Sequence, residues 1–115
     1  LNFGHTLGHT IEQYFQYGRE SHGEAVAIGM YQISLLAQMK GLTQKGVAAR
    51  ILDVLETYGL PSECNLPMNA LTEAIKLDKK NLGGHLNIVL LHNIGDSYVH
   101  PTSIDFFEKY NDLII

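Results

Sequence analysis

Gly4-His5-Thr6-Leu7-Gly8-His9-Thr10 is a repeat of period four. On a helix, residues i and i+4 lie on one face. The spacing therefore predicts a helix with a glycine stripe through Gly4 and Gly8 and a histidine stripe beside it through His5 and His9. Glycine in a helix interior costs roughly 1 kcal/mol against alanine. Two of them imply that another backbone or a ligand comes close. The helix is expected to reach Tyr17, with Gly18 as its stop.

Working outward, Ser21-His22-Gly23-Glu24 fits a capping box, Ser21 as the cap and Glu24 at the third helical position. The helix it opens is expected over 22–40. Its apolar residues, from Ala25 to Met39, cover nearly all sides, as in a central buried helix. Gly41 ends it. Val47, Ile51, Val54, Leu55 and Tyr58 repeat at three and four residues, which predicts an amphipathic helix over 44–58. Gly59-Leu60-Pro61 stops that helix. A loop with Pro61 and Pro67 leads to a short helix over 69–79, with Leu71, Ala74 and Ile75 inward. Asn81-Leu82-Gly83-Gly84 is a turn signal. The apolar run 86–91, a turn over 93–96 and a return over 97–100 predict one β-hairpin. Pro101-Thr102-Ser103 is expected to open a final helix carrying Ile104, Phe106, Phe107 and Tyr110. The fold class is mainly α: a multihelical domain with one small β-hairpin.

The chain of 115 residues has room for one domain. It does not begin with Met, and its chemistry-bearing residues start at once, which reads as a piece of a longer protein. Eight basic against twelve acidic residues, with no cluster beyond Lys79-Lys80, argue against a nucleic-acid partner. No apolar run has membrane-spanning length. The single cysteine, Cys64, has no partner for an intramolecular disulfide, and the cytoplasm is the default compartment.

Three of the six histidines, His5, His9 and His22, fall near the start of the chain, each beside a glycine. His5 and His9 have the i, i+4 spacing of chelating pairs on zinc-binding helices. His22 heads a separate helix, and one turn between the two helices could fold it over the first. Helix-cap or core histidines, or a plain hydrogen-bond network, fit the same spacing.

Leu1-Asn2-Phe3-Gly4-His5-Thr6-Leu7-Gly8-His9-Thr10-Ile11-Glu12 and His22-Gly23-Glu24-Ala25-Val26-Ala27-Ile28-Gly29-Met30 resemble two signature segments of the 3-dehydroquinate synthases. Leu77-Asp78-Lys79-Lys80-Asn81, followed by Ile88 to Leu91 and Ile94-Gly95, resembles a third. The resemblance runs from residue 1 to about 100, and it implies a C-terminal helical domain that binds zinc and substrate. It implies that His5 and His22 are the metal ligands, the third being a glutamate outside this sequence. Glu24 is then only the capping box, and Glu12 an outer neighbour of the site or a surface residue. His9 matches the catalytic histidine and Asn2 a substrate-binding asparagine. One of Lys79 and Lys80 matches a lysine that contacts the substrate phosphate.

The activity so implied is conversion of 3-deoxy-D-arabino-heptulosonate 7-phosphate to 3-dehydroquinate and phosphate, in the shikimate pathway of aromatic amino acid biosynthesis. It uses NAD and zinc, or another divalent metal such as cobalt, in a cytoplasmic homodimer. The NAD-binding N-terminal domain is expected outside these residues, since Gly4 and Gly8 form no dinucleotide fingerprint, and the piece alone is expected to be inactive. Sugar-phosphate cyclases of the sedoheptulose 7-phosphate or aminocyclitol type are the nearest rivals, and retention of His9 argues against the former. A non-catalytic helical metal-binding domain is the rival from another class. His85, His92 and His100 read as surface or turn residues, Cys64 as a bystander, and Tyr14, Phe15 and Tyr17 as core or interface.

Overall fold

The computed structural model describes residues 3–79, 85–110 and 112–115. Its elements are α1 (His5–Tyr14), α2 (His22–Met39), α3 (Val47–Thr57), α4 (Met68–Lys79), β1 (His85–Asn93), β2 (Asp96–Ser103) and α5 (Asp105–Glu108). The mainly helical class with one antiparallel hairpin holds. The turn expected at 81–84 lies outside the described residues. Among the described residues, no helix is long and apolar enough to cross a membrane.

α1 ends earlier than its glycine suggested. Gln16 and Tyr17 take left-handed conformations at φ 53° and 60°. The Tyr17 N–H donates to the Glu12 carbonyl at 2.8 Å and the Gln16 N–H to the Gln13 carbonyl at 3.0 Å. This is a Schellman motif built on non-glycine residues, three positions before Tyr17 was expected to close the helix. Tyr14 and Tyr17 are consequently exposed rather than core.

α2 starts and stops where its local signals put it. The Ser21 hydroxyl accepts from the Glu24 N–H at 3.1 Å, and the Glu24 carboxylate accepts from the Ser21 N–H at 2.9 Å. At the other end Gly41 is left-handed, and the Leu42 N–H returns to the Ala37 carbonyl at 2.9 Å. Ala25, Ile28, Leu36 and Ala37 are fully or almost fully buried, which makes α2 the central helix.

α1 packs on α2 through glycines. A Cβ placed at Gly29 would lie 2.1 Å from the Gly4 carbonyl oxygen and 2.9 Å from the Gly8 nitrogen. A Cβ at Gly8 would meet the Ala25 carbonyl oxygen at 3.0 Å. The stripe read from the sequence is thus one wall of a helix–helix contact, and Gly29 is the other.

On α3, Val47, Ile51 and Leu55 are buried, but Val54 and Tyr58 of the same apolar pattern are 56% and 75% exposed. α4 buries Leu71 and Ile75 in the main core with Leu7, Ile11, Leu90 and Phe107. The hairpin is longer than its apolar run, pairing His85 with Ser103 and Leu91 with Ser97. β2 continues through Pro101, opposite Asn87. A two-stranded sheet leaves one edge of each strand open, and there a proline costs no ladder bond. The final helix is accordingly one turn, with Phe106 and Phe107 buried. The C-terminal residues turn back on the 64–68 loop: the Ile115 N–H donates to the Leu66 carbonyl at 2.7 Å.

Candidate metal centre

His5 and His22 each open a helix. Gly4, left-handed at φ 77°, delivers the chain into α1, and the Ser21 cap fixes the start of α2. The glycine contact draws the two helices together, and the two imidazoles meet with ring centroids 5.4 Å apart and planes inclined at 61°.

Both rings are held through the same atom. His5 Nδ1 lies 3.1 Å from the Phe3 carbonyl oxygen. His22 Nδ1 lies 3.2 Å from each oxygen of the Glu12 carboxylate. A carbonyl or an ionised carboxylate only accepts, so in each pair Nδ1 carries the proton and donates. In the neutral ring, Nε2 is then the free lone pair. Metal-binding histidines commonly have this arrangement, the second nitrogen donating to a carboxylate or a backbone carbonyl.

The spacing fits a shared cation as well. Two imidazole nitrogens at about 2.0–2.1 Å from a tetrahedral zinc put their ring centroids about 5 Å apart. The pair is open, with the His22 side chain 65% exposed. Among the described residues, no group of three or more His, Cys, Asp or Glu side chains is placed to hold a metal. The described residues thus offer two nitrogen donors.

His9 lies one turn beyond His5 on the same face of α1 and is exposed. The spacing pair His5 and His9 is therefore not the ring pair that the fold makes closest; that pair joins two helices. Asn2 and Lys80 lie outside the described residues. Lys79 closes α4, and its side chain also lies outside them.

Glu12 takes the first of the two places the resemblance allowed it, as an outer neighbour of the histidine pair. It is 8% exposed and hydrogen-bonded to His22, not a surface group. The available signal was its place three residues after His9 and seven after His5, along the same helical face.

The other polar groups stay apart from this centre. Glu24 is bound into the cap, and its hydrogen bonds to the Ser21 backbone and hydroxyl hold its carboxyl below the usual range. His92 stacks on Tyr98 at 3.8 Å, with Asp96 at 3.5 Å from its Nδ1. Burial pushes the Cys64 thiol up. An apolar groove of about 280 Å³, lined by Phe3, Met30, Ile51, Val54, Leu91 and Ile94 among others, has Arg50 as its charged wall residue among the described residues. Among the described residues that line it, none is an acid or a histidine.

The family model described as 3-dehydroquinate synthase C-terminal matches residues 1–81. The chain is 58% identical to a 3-dehydroquinate synthase of Clostridium perfringens over 109 residues, 94% of this chain. It is 43% identical to a 3-dehydroquinate synthase of Streptococcus pneumoniae over 111 residues, 96% of this chain. It spans 31% of the length of each of these relatives. Among solved structures, a 2-deoxy-scyllo-inosose synthase complexed with carbaglucose-6-phosphate, NAD+ and Co2+ superposes with a TM-score of 0.75 at 22% identity. That match covers 99% of this chain and 33% of the other, and it speaks for the fold alone. A 2-epi-5-epi-valiolone synthase from Streptomyces hygroscopicus with NAD+ and Zn2+ bound superposes with a TM-score of 0.74 at 27% identity, over 95% of this chain and 31% of that one.

Proposed function

The chain belongs to the family described as 3-dehydroquinate synthase C-terminal, and from that premise we propose that it is the metal- and substrate-binding part of an enzyme converting 3-deoxy-D-arabino-heptulosonate 7-phosphate to 3-dehydroquinate and phosphate. The supporting observation is the His5–His22 pair, 5.4 Å between centroids, with both Nδ1 atoms engaged. The 58% identity to a relative of that activity favours it over the other sugar-phosphate cyclases.

In this scheme His5 and His22 hold a divalent cation through Nε2, together with a carboxylate from outside these residues. A cation held there supplies Lewis acidity, lowering the pKa of a substrate hydroxyl. His9, exposed on the same face, moves a proton at an imidazole nitrogen. Asn2 donates or accepts at a substrate oxygen through its amide. Lys79 or Lys80 sets an ammonium point charge against the substrate phosphate.

The described sheet is a single antiparallel hairpin. It has no strand-to-helix turn of the dinucleotide-binding type. We assign no residue here to NAD, and on the family resemblance its domain is expected outside this sequence. The cytoplasmic homodimer rests on the family resemblance alone, and sedimentation of the full-length protein tests the dimer.

The decisive experiment is metal content beside turnover in the full-length protein. His5→Ala should lose zinc. His9→Ala should keep zinc and lose about 10²–10⁴-fold in turnover, the usual share of proton transfer. Zinc retained in His5→Ala and lost in His9→Ala would reverse the two roles.

A further inference from the structure

Glu12 is a carboxylate at a nearly buried position on α1. A carboxylate is withdrawn from water only at a cost unless it is paired. Among the described residues, His22 Nδ1 is the group that hydrogen-bonds it, at 3.2 Å from both oxygens. An apolar side chain of similar length would fill the space between the helices equally well. What only an acceptor can do there is fix which nitrogen of His22 carries the proton.

We propose that Glu12 is the positioning residue of the centre: its carboxylate holds His22 as the Nδ1–H tautomer, leaving Nε2 as the ring's metal-binding lone pair. The His22 side chain is 65% exposed, and among the described residues Glu12 is the group that hydrogen-bonds its ring. His5, by contrast, is held by a backbone carbonyl that no side-chain substitution removes. The two ligands are thus fixed by different means, and only one of them depends on a replaceable side chain. Carboxylate–histidine pairs behind a metal fix both tautomer and ring orientation and raise ligand basicity, and their loss typically lowers metal affinity by about 10- to 100-fold.

The inference rests on His5 and His22 being metal ligands, so its test carries their variants beside it. In the full-length protein, zinc affinity is measured by chelator competition for wild type, Glu12→Leu, Glu12→Gln, His5→Ala and His22→Ala. The His22 tautomer is read from its ring 15N shifts in the metal-free protein. Glu12→Leu should bind zinc about 10- to 100-fold more weakly and shift His22 toward the Nε2–H form. Glu12→Gln, whose amide oxygen still accepts from Nδ1–H, should keep the tautomer and recover much of the affinity. A role in packing alone would move neither the tautomer nor the Gln–Leu difference. If both histidine variants bind zinc like wild type, the metal centre itself is wrong. If they lose zinc while Glu12→Leu binds as wild type does, the centre stands and the role of Glu12 is overturned. Should Glu12→Leu fail to fold, wild-type His22 found in the Nε2–H form overturns it alone.

Discussion

Replacing Gly29 by alanine tests the helix contact on which the centre depends. The added Cβ would stand 2.1 Å from the Gly4 carbonyl oxygen, where ordinary contact begins at 3.4 Å. The shortfall, 3.4 less 2.1, is about 1.3 Å, and the obstructing atoms are backbone, so no side-chain rotation relieves it. α1 and α2 must part or shear. Overpacking of this kind typically costs 1–3 kcal/mol, occasionally more. Alanine returns roughly 1 kcal/mol of helix propensity. With a rigid backbone clash at the upper end of that range, the net loss should be about 2 kcal/mol. Parting the helices also separates His5 from His22, so zinc affinity should fall in the same variant. Gly23→Ala is the control: no atom lies within 4 Å of its Cβ, so it should be neutral or slightly stabilising. The assay is denaturant unfolding of the full-length proteins, with chelator competition for zinc alongside. A Gly29→Ala protein as stable as Gly23→Ala, with wild-type zinc affinity, would refute the claim that this contact sets the histidine pair.

Phe107, fully buried in the main core, should cost about 3–5 kcal/mol on truncation to alanine, measured from the unfolding midpoint. Cys64 is 1% exposed, and burial pushes its thiol up. The native protein should therefore resist a thiol reagent at pH 8 and react fully once unfolded; rapid native labelling would contradict its placement. Replacing Lys79 and Lys80 by alanine, singly, should raise KM for the phosphorylated substrate in whichever variant removes the phosphate contact, with zinc content unchanged.

What the sequence discloses and what it hides divide along physical lines. The α2 cap is legible in Ser21 and Glu24 because both partners lie within one turn. Its stop is legible in Gly41 for the same reason. The end of α1 is not, since Gln16 and Tyr17 adopt a conformation that side chains disfavour by roughly 1–2 kcal/mol per residue. Periodicity put Val54 and Tyr58 on one face with Val47 and Ile51, but it says nothing of how far the covering elements extend. β2 passes through Pro101 because, among the described residues, the hairpin has no third strand to demand its missing N–H. At the centre, spacing pointed to His5 with His9, and only family resemblance pointed to His5 with His22. The ring pair joins two helices, and its closeness comes from Gly4, Gly8 and Gly29 rather than from the spacing of the histidines. Glu12 was readable only as an outer neighbour of the site or a surface residue, because α2 supplies its partner.

These dependencies limit how the centre can be completed. Catalytic zinc normally takes three protein ligands and keeps one position open. Two imidazole nitrogens are offered here, each with its other nitrogen already engaged. Neither ring can therefore turn over to present Nδ1 without giving up a hydrogen bond that holds it. In the proposed scheme a third donor comes to the pair from outside α1 and α2. The exposed side of His22 is the open approach, and His9, one turn beyond His5 on α1, is exposed as well. In the proposed scheme a carboxylate arriving there would complete the ligand set and at the same time wall in His9. Assembly of the ligand set and exclusion of water from His9 would then be one event. This predicts that a full-length variant lacking the incoming carboxylate loses zinc affinity and leaves His9 open to diethyl pyrocarbonate, whereas the intact zinc-loaded protein protects it. Equal modification of His9 in both proteins would separate the two events and sink this account.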